Sequence, residues 1–228
     1  MTDIYRLEAL QPQLDPATTA RLVQVEAATL GHYLHTGFVD TAIRPLIVGP
    51  RVAGAAVTVQ ISGPDSTLLY HAMDRVRPGD MLVIDRVGDH KQACWGGFMA
   101  AVAQIRGLAG VIIDGAVTDP AAIREAGVPT WARDTSAVTT KLLNLGGGFN
   151  VPVCIGGVAV NPGDAVLADD CGVVVIEPRR LQKLIEVALA DQAEEGGWID
   201  RLRKGERLQD LINIRAMLEK NGMEGTGV

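Results

Sequence analysis

The stretch Asp114-Gly-Ala-Val-Thr-Asp-Pro-Ala-Ala122 sets two carboxylates and a hydroxyl directly after the apolar run Gly-Val-Ile-Ile of residues 110–113. A buried strand that ends in such a loop is where α/β proteins tend to place their chemistry. Asp119 has two readings. It precedes Pro120 and so suits the N-cap of a helix, or it holds a hard divalent cation, Mg2+ or Mn2+, which needs few protein ligands and keeps several waters. Asp114 is a second candidate catalytic acid, or a residue that only fixes the loop, and Thr118 between them offers a single neutral hydroxyl. Upstream, Gly96-Gly97 opens an Ala-rich apolar segment. Bare amides at a helix start, here those of Gly97, Phe98 and Met99, attract a carboxylate or phosphate, although two glycines also permit close packing or a tight turn.

Other polar residues form less specific patterns. His32 and His35 would share a helix face if the helix ran on past Gly31, but no third ligand stands at a useful spacing. His90-Lys91 reads as a phosphate or proton-transfer pair or as a solvated loop, and His71 falls on a helix as a half-buried ring. There is no G-x-S-x-G, H-E-x-x-H, Walker A or strand-linked G-x-G-x-x-G, and Ser62, Ser66 and Ser136 have no evident base, so nucleotide cofactors and serine nucleophiles lack support.

The elements that must position these residues follow from periodicity and turn chemistry. Residues 16–31 read as a helix, 51–62 as a Val- and Thr-rich strand, and 65–76 as a helix capped by Asp65 or Ser66. The run 96–107 predicts a buried helix, 110–114 a buried strand, 119–127 a short helix and 128–133 a further strand, a β-α-β-α-β rhythm. Residues 150–178 are too crowded with turns for crossover helices, so they predict short strands and a mixed sheet. Helices return at 179–195 and about 200–220. Arg77-Pro-Gly-Asp80 and Asn161-Pro-Gly-Asp164 repeat one device, a tight turn with Gly at the positive-φ position feeding a strand. The expectation is one α/β domain over residues 1–228, with a core at about 29–178 and C-terminal helices at about 179–220.

Composition bounds the function. A chain of 228 residues that is 47% hydrophobic can bury a sizeable core. A net charge of −6 without a free Lys/Arg cluster argues against nucleic acid as a partner. Cys94, Cys154 and Cys171 form no C-x-x-C pair, and no secretory or membrane-spanning pattern is present, which points to a cytoplasmic protein that does not engage the membrane.

Six blocks then carry a family likeness: Arg51–Val59, Arg77–Asp85, Ala93–Gly97, Arg106–Arg133, Asn150–Pro178 and Gly205–Leu211. In this order the chain resembles, from about Thr29 to Glu206, the RraA-like proteins. These include the class II 4-hydroxy-4-methyl-2-oxoglutarate aldolases and the regulators of ribonuclease E activity, and they were once misnamed dimethylmenaquinone methyltransferases. The resemblance implies a three-layer β/β/α swivelling-domain fold with a C-terminal helical extension, a homotrimer or a hexamer of two trimers, and sites between subunits. It implies a metal-dependent lyase of a small 2-oxo or hydroxy acid, with Asp119 as the metal ligand. The loop pattern in the aldolases has Arg where this chain has Thr118 and an acid where it has Ala122, and an acid is replaced by Gly97. The Arg grips the keto acid there, so its role would pass here to Arg133, Arg124 or a neighbouring subunit, or the substrate differs. The resemblance also matches Glu194 or Glu195 to an acid that reaches the neighbouring subunit's site. A solvated acidic helix end is the other reading of that pair. Family members without the full acidic set act as binding regulators of a partner such as a ribonuclease.

Overall fold

The computed structural model describes residues 4–212 and 214–220. In chain order the elements are β1 (Tyr5–Leu7), α1 (Pro16–Leu22), α2 (Ala27–Leu30), β2 (Arg44–Pro45), β3 (Val52–Gln60), α3 (Thr67–Met73), β4 (Met81–Asp85), α4 (Gly97–Arg106), β5 (Gly110–Val117) and α5 (Pro120–Ala126). They continue with β6 (Thr130–Thr135), β7 (Gly147–Phe149), β8 (Val153–Ile155), β9 (Val158–Val160), β10 (Ala165–Asp169), β11 (Gly172–Ile176), α6 (Pro178–Arg203), α7 (Leu208–Leu211) and α8 (Ile214–Lys220).

Strands β3, β4, β5 and β6 run parallel, in register through Val57↔Leu82, Leu82↔Val111 and Ile112↔Trp131. Both faces of this sheet are buried, and successive side chains divide between them as strand pleating requires. Val57, Val59, Leu82, Ile84, Val111 and Ile113 pack on Leu69, Met73, Ala100, Ala103 and Ile123 of α3, α4 and α5. Ala56, Met81, Val83, Ile112 and Trp131 point the other way, against Val153, Ile155, Val160, Val166 and Val173 of the short strands. The result is the expected α/β, three-layer β/β/α arrangement.

β3 holds the layers together because it pairs with different partners along its length. Its first half lies antiparallel to β10 (Ala55↔Ala165), and its second half antiparallel to β7 (Val59↔Phe149), while β4 takes the other edge. The two Pro-Gly-Asp turns have one geometry. Gly79 and Gly163 both have φ 86°, and the Asp80 and Asp164 carboxylates accept from the Arg77 and Asn161 amides, each at 2.8 Å.

Three elements depart from the sequence expectations. The helix at 16–31 is split, because Glu26 is extended and Asp169 draws the Ala27 amide to itself at 2.9 Å. Residues 147–149, to which the sequence assigned no element, are a strand between β1 and β3. Helix α6 runs unbroken through Gly196-Gly197, where a break had been expected. The chain divides after Ile185 into two compact units, the first holding every strand and the second the remainder of α6 with α7 and α8. The first unit takes in β1.

Candidate active site

β5 ends at Val117 and hands Asp119 to the helix side of the sheet. The incoming segment before α4 runs beside this end: Trp95 bridges Val117, and the Thr118 amide donates to the Trp95 carbonyl at 2.8 Å. That pairing sets Gly96 and Gly97 against Asp119. Asp119 is exposed and left-handed, φ 50° and ψ 50°, a conformation that Asp tolerates at some cost. Its carboxylate does not cap α5. It turns to α4 and accepts from the Gly97 amide and from the Thr118 hydroxyl, both at 3.3 Å. Asp119 thus stands at the N-cap position without a side-chain capping bond, and the Gly97 amide expected to bind a ligand is already turned to it.

The two glycines are required by contact. A Cβ at Gly96 would lie 2.6 Å from Thr118 Cγ2 and 2.7 Å from Asp119 Oδ2, and one at Gly97 would lie 2.6 Å from the Ala122 Cβ. Gly97 and Ala122 thus close on each other at the positions where the resemblance led us to look for acids.

Above this floor opens a cavity of about 250 Å³, lined among others by Ser66, Tyr70, Cys94, Phe98, Thr118 and Asp119. The rings of Tyr70 and Phe98 stack at its edge, 6.3 Å apart and 22° from parallel. Phe98 is 67% exposed, whereas the Met99 side chain is in the core, so Met99 can meet a ligand only through its amide. Burial pushes the Cys94 thiol up to about 11, with the nearby Arg86 charge opposing the shift. A larger cavity of about 450 Å³, with His35, Asp164, Glu177 and Arg180 in its wall, contains none of the loop residues.

Asp114 goes elsewhere. Its carboxylate faces the short-strand layer, where it accepts from Arg133 Nε and, at 2.6 Å, from the Gly156 amide. Arg133 also donates to Asp40 at 3.1 Å, and His90 Nε2 stands 3.5 Å from Asp114. The Ala42 amide, then Arg133, hold the Asp40 carboxyl below its usual range. Burial works against the Arg133 charge, but the hydrogen bonds it donates to Asp114 and Asp40 outweigh it and raise its pKa. Arg133 is thus committed to this network, and Arg124 donates to the Leu46 carbonyl at 3.3 Å. Neither arginine considered as a replacement makes a bond to Thr118 or Asp119.

The histidine pair forms no metal site, since among the described residues no group of three or more His, Cys, Asp or Glu is placed to share an ion. His71 packs edge-on against Phe149 with Nε2 buried. Glu194 and Glu195 are exposed on α6, in the second unit. Sequence reasoning missed Tyr70, Cys94 and Arg86. The signal for the first two was spacing: Tyr70 lies on the outer side of a predicted helix, and Cys94 directly precedes the Trp-Gly-Gly stretch.

Comparison with known proteins is consistent with this geometry. The RraA-like family model, described as Aldolase/RraA, matches residues 19–175. A protein of Halalkalibacterium halodurans, provisionally named 4-hydroxy-4-methyl-2-oxoglutarate aldolase, is 34% identical over 180 residues, which is 79% of this chain and 83% of the relative. The crystal structure of RraAS2 from Streptomyces coelicolor, described as an unusual member of the RNase ES inhibitor RraA family, superposes with a TM-score of 0.72 at 30% identity. It covers 83% of this chain and 98% of that one. The RraA of Thermus thermophilus, described as an RNA-processing inhibitor, has a TM-score of 0.60 at 26% identity, covering 66% of this chain and 90% of that one. Among the described residues, no helix is long and apolar enough to cross a membrane.

Proposed function

The chain belongs to the RraA-like family, and from that premise we propose that it is a divalent-metal-dependent lyase that cleaves or decarboxylates a small 2-oxo or hydroxy acid. The observation that carries this reading is the Asp119 carboxylate, exposed, left-handed and held only by two 3.3 Å contacts over the start of α4. A left-handed backbone without a capping bond supports a functional role for this residue.

The donor set fits Mg2+ or Mn2+. Asp119 supplies one hard oxygen ligand and the Thr118 hydroxyl stands beside it, so water and substrate oxygens would complete the shell, as such ions prefer. The ion would supply polarisation of the 2-oxo group. The chain's own part is positioning. The Phe98 and Met99 amides in the first turn of α4 are suited to the substrate carboxylate, the more so because the helix dipole favours negative charge there. Tyr70 and Phe98 cover the apolar part of the substrate. Exposed Phe98 and Ile105 on α4, at 67% and 82%, suit a subunit contact beside the cavity, in keeping with a trimer or paired trimers.

The test is pyruvate release from 4-hydroxy-4-methyl-2-oxoglutarate and from oxaloacetate, with Mg2+, with Mn2+ and with EDTA. Metal-dependent release by the wild type, lost in Asp119→Asn, is the expected result. Release unaffected by EDTA, or retained in Asp119→Asn, would overturn it.

A second reading has its own support. The acids and the Arg of the aldolase pattern are absent at Gly97, Ala122 and Thr118, and Gly97 is packed too tightly on Ala122 to admit one. One structural relative is described as an RNA-processing inhibitor and another as an unusual member of a ribonuclease-inhibitor family. On this reading the chain is a non-catalytic oligomer that binds a ribonuclease. Silence from both the wild type and Thr118→Arg in the release assay, with saturable inhibition of a ribonuclease, would favour it.

A further inference from the structure

Arg86 follows Asp85 at the carboxyl end of β4 and is completely buried, at 0% exposure. One of its nitrogens is well met: Nη2 donates to the Gly63 carbonyl at 2.5 Å, to Asp89 Oδ2 at 3.2 Å and to the Gln92 carbonyl at 3.4 Å. Nε and Nη1, which carry most of the guanidinium N–H groups, meet no acceptor. The next residue, Val87, is a β-branched side chain at φ 51°, so the turn that seats Arg86 is held against local preference. A buried charge kept this way and left partly unmet is an expensive feature for a loop anchor alone.

Its surroundings continue into the Asp119 cavity. Gly63 leads to Ser66, and Gln92 to Ala93 and Cys94, all three of which line the cavity. A Cβ at Gly115 would fall 2.6 Å from Arg86 Cγ, and that strand leads to Thr118. At Cys94, on the cavity wall, the Arg86 charge is felt more strongly than that of Asp89. A charge enclosed by protein is screened far less than one in water.

We infer that Arg86 is the residue by which the Asp119 cavity selects a small carboxylate, its buried guanidinium acting across the Ala93–Cys94 wall in place of the guanidinium absent at Thr118. The inference rests on the proposed binding of an oxo acid in that cavity and names the positioning residue that sets its charge preference. Arg86 does not touch the reacting atoms. It biases which ligand is held beside Asp119 and the α4 amides.

The test compares pyruvate with pyruvamide, its neutral isostere, by calorimetric titration of the full chain with Mg2+ present. The wild type should bind pyruvate at least about tenfold more tightly, a difference of about 1.4 kcal/mol. Arg86→Met should bring that preference to near unity while pyruvamide affinity is kept, and Arg86→Lys should restore part of it. A folded Arg86→Met that keeps the full preference, or a wild type that binds both probes equally, overturns the assignment and leaves the oxo-acid reading standing. A wild type that binds neither overturns both. Should Arg86→Met fail to fold, the Arg86 Nε–H resonance of the wild type decides: it should shift as pyruvate saturates the cavity, and a resonance that stays in place overturns the proposal.

Discussion

On the short-strand side of β5, Asp114 is closed in by Arg133 and by the Gly156 amide at 2.6 Å; on the helix side Asp119 stands exposed with two contacts of 3.3 Å. Asp114 lies within β5 and Asp119 two residues past its end, yet in the sequence both were candidates for the same chemistry. The difference lies in what surrounds them. Asp114 has spent its lone pairs on protein donors, which tie β5, β6 and the β8–β9 turn together. Asp119 has spent little and sits in a conformation that costs energy. A satisfied carboxylate stabilises, and an unsatisfied one beside a cavity is available to a ligand.

Substitution at the two positions should separate activity from stability. Asp119→Asn preserves the tolerance for left-handed backbone while removing the charge. Turnover should fall more than about 100-fold, with unfolding free energy changed by less than about 0.5 kcal/mol. Asp114→Asn should do the reverse. It leaves the Arg133 charge with exposed Asp40 alone and should cost about 1–3 kcal/mol in denaturant unfolding. Its turnover should stay within about threefold of the wild type. If Asp114→Asn proves the inactive and stable variant, the comparison is reversed and the site lies on the other side of the sheet.

Gly96→Ala sharpens the same contrast from the neighbouring backbone. Gly96 is extended, at φ −153°, so Ala fits the backbone, and the whole effect comes from its Cβ reaching toward Asp119 Oδ2 and Thr118 Cγ2. Displacement of the carboxylate should lower turnover about tenfold and raise the metal concentration for half activity, with a stability loss of about 1–3 kcal/mol. An unchanged metal requirement would mean that Asp119 is not held where the ion binds.

The sequence made some of this visible, and the reasons are local. The two Pro-Gly-Asp turns were readable because everything that fixes them lies within four residues: a Gly at φ 86° and an Asp that returns to the amide three positions back. Strands β3, β4 and β5 were readable as nearly continuous apolar runs because a strand buried on both faces has few polar interruptions. What stayed hidden depends on partners distant in the chain. Asp169 breaks the helix at Ala27 from 142 residues away. Arg133, an available charge in the sequence, is consumed by Asp114 and Asp40. Arg86 looks like an ordinary loop cation until its burial is seen. The strand-end loop itself was legible as a candidate site, but the separation of Asp114 from Asp119 was not. That separation follows from β5 running on to Val117 rather than stopping at Asp114, so that pleating puts Asp114 on the face of Ile112 while Asp119 stands past the strand end.

The smallest expected effect concerns the wall between these regions. Cys94 lines the cavity yet is buried, and its thiol is pushed up to about 11, whereas Cys154 and Cys171 are exposed. Thiolate is the reactive form, so at pH 8 a shift of this size lowers its population about 100-fold relative to an ordinary thiol, and access lowers the rate further. A thiol reagent should therefore label Cys154 and Cys171 in the native protein and Cys94 only after unfolding, and the doubly labelled protein should keep its turnover. Because a raised pKa favours the protonated fold, this thiol's contribution is complete below the unfolded pKa near 9 and fades as pH climbs towards 11, so alkaline unfolding should steepen in that window and flatten in Cys94→Ala. Rapid labelling of Cys94 at pH 8 would mean that the cavity wall opens in solution, and the Arg86 charge behind it would then be exposed to solvent and screened.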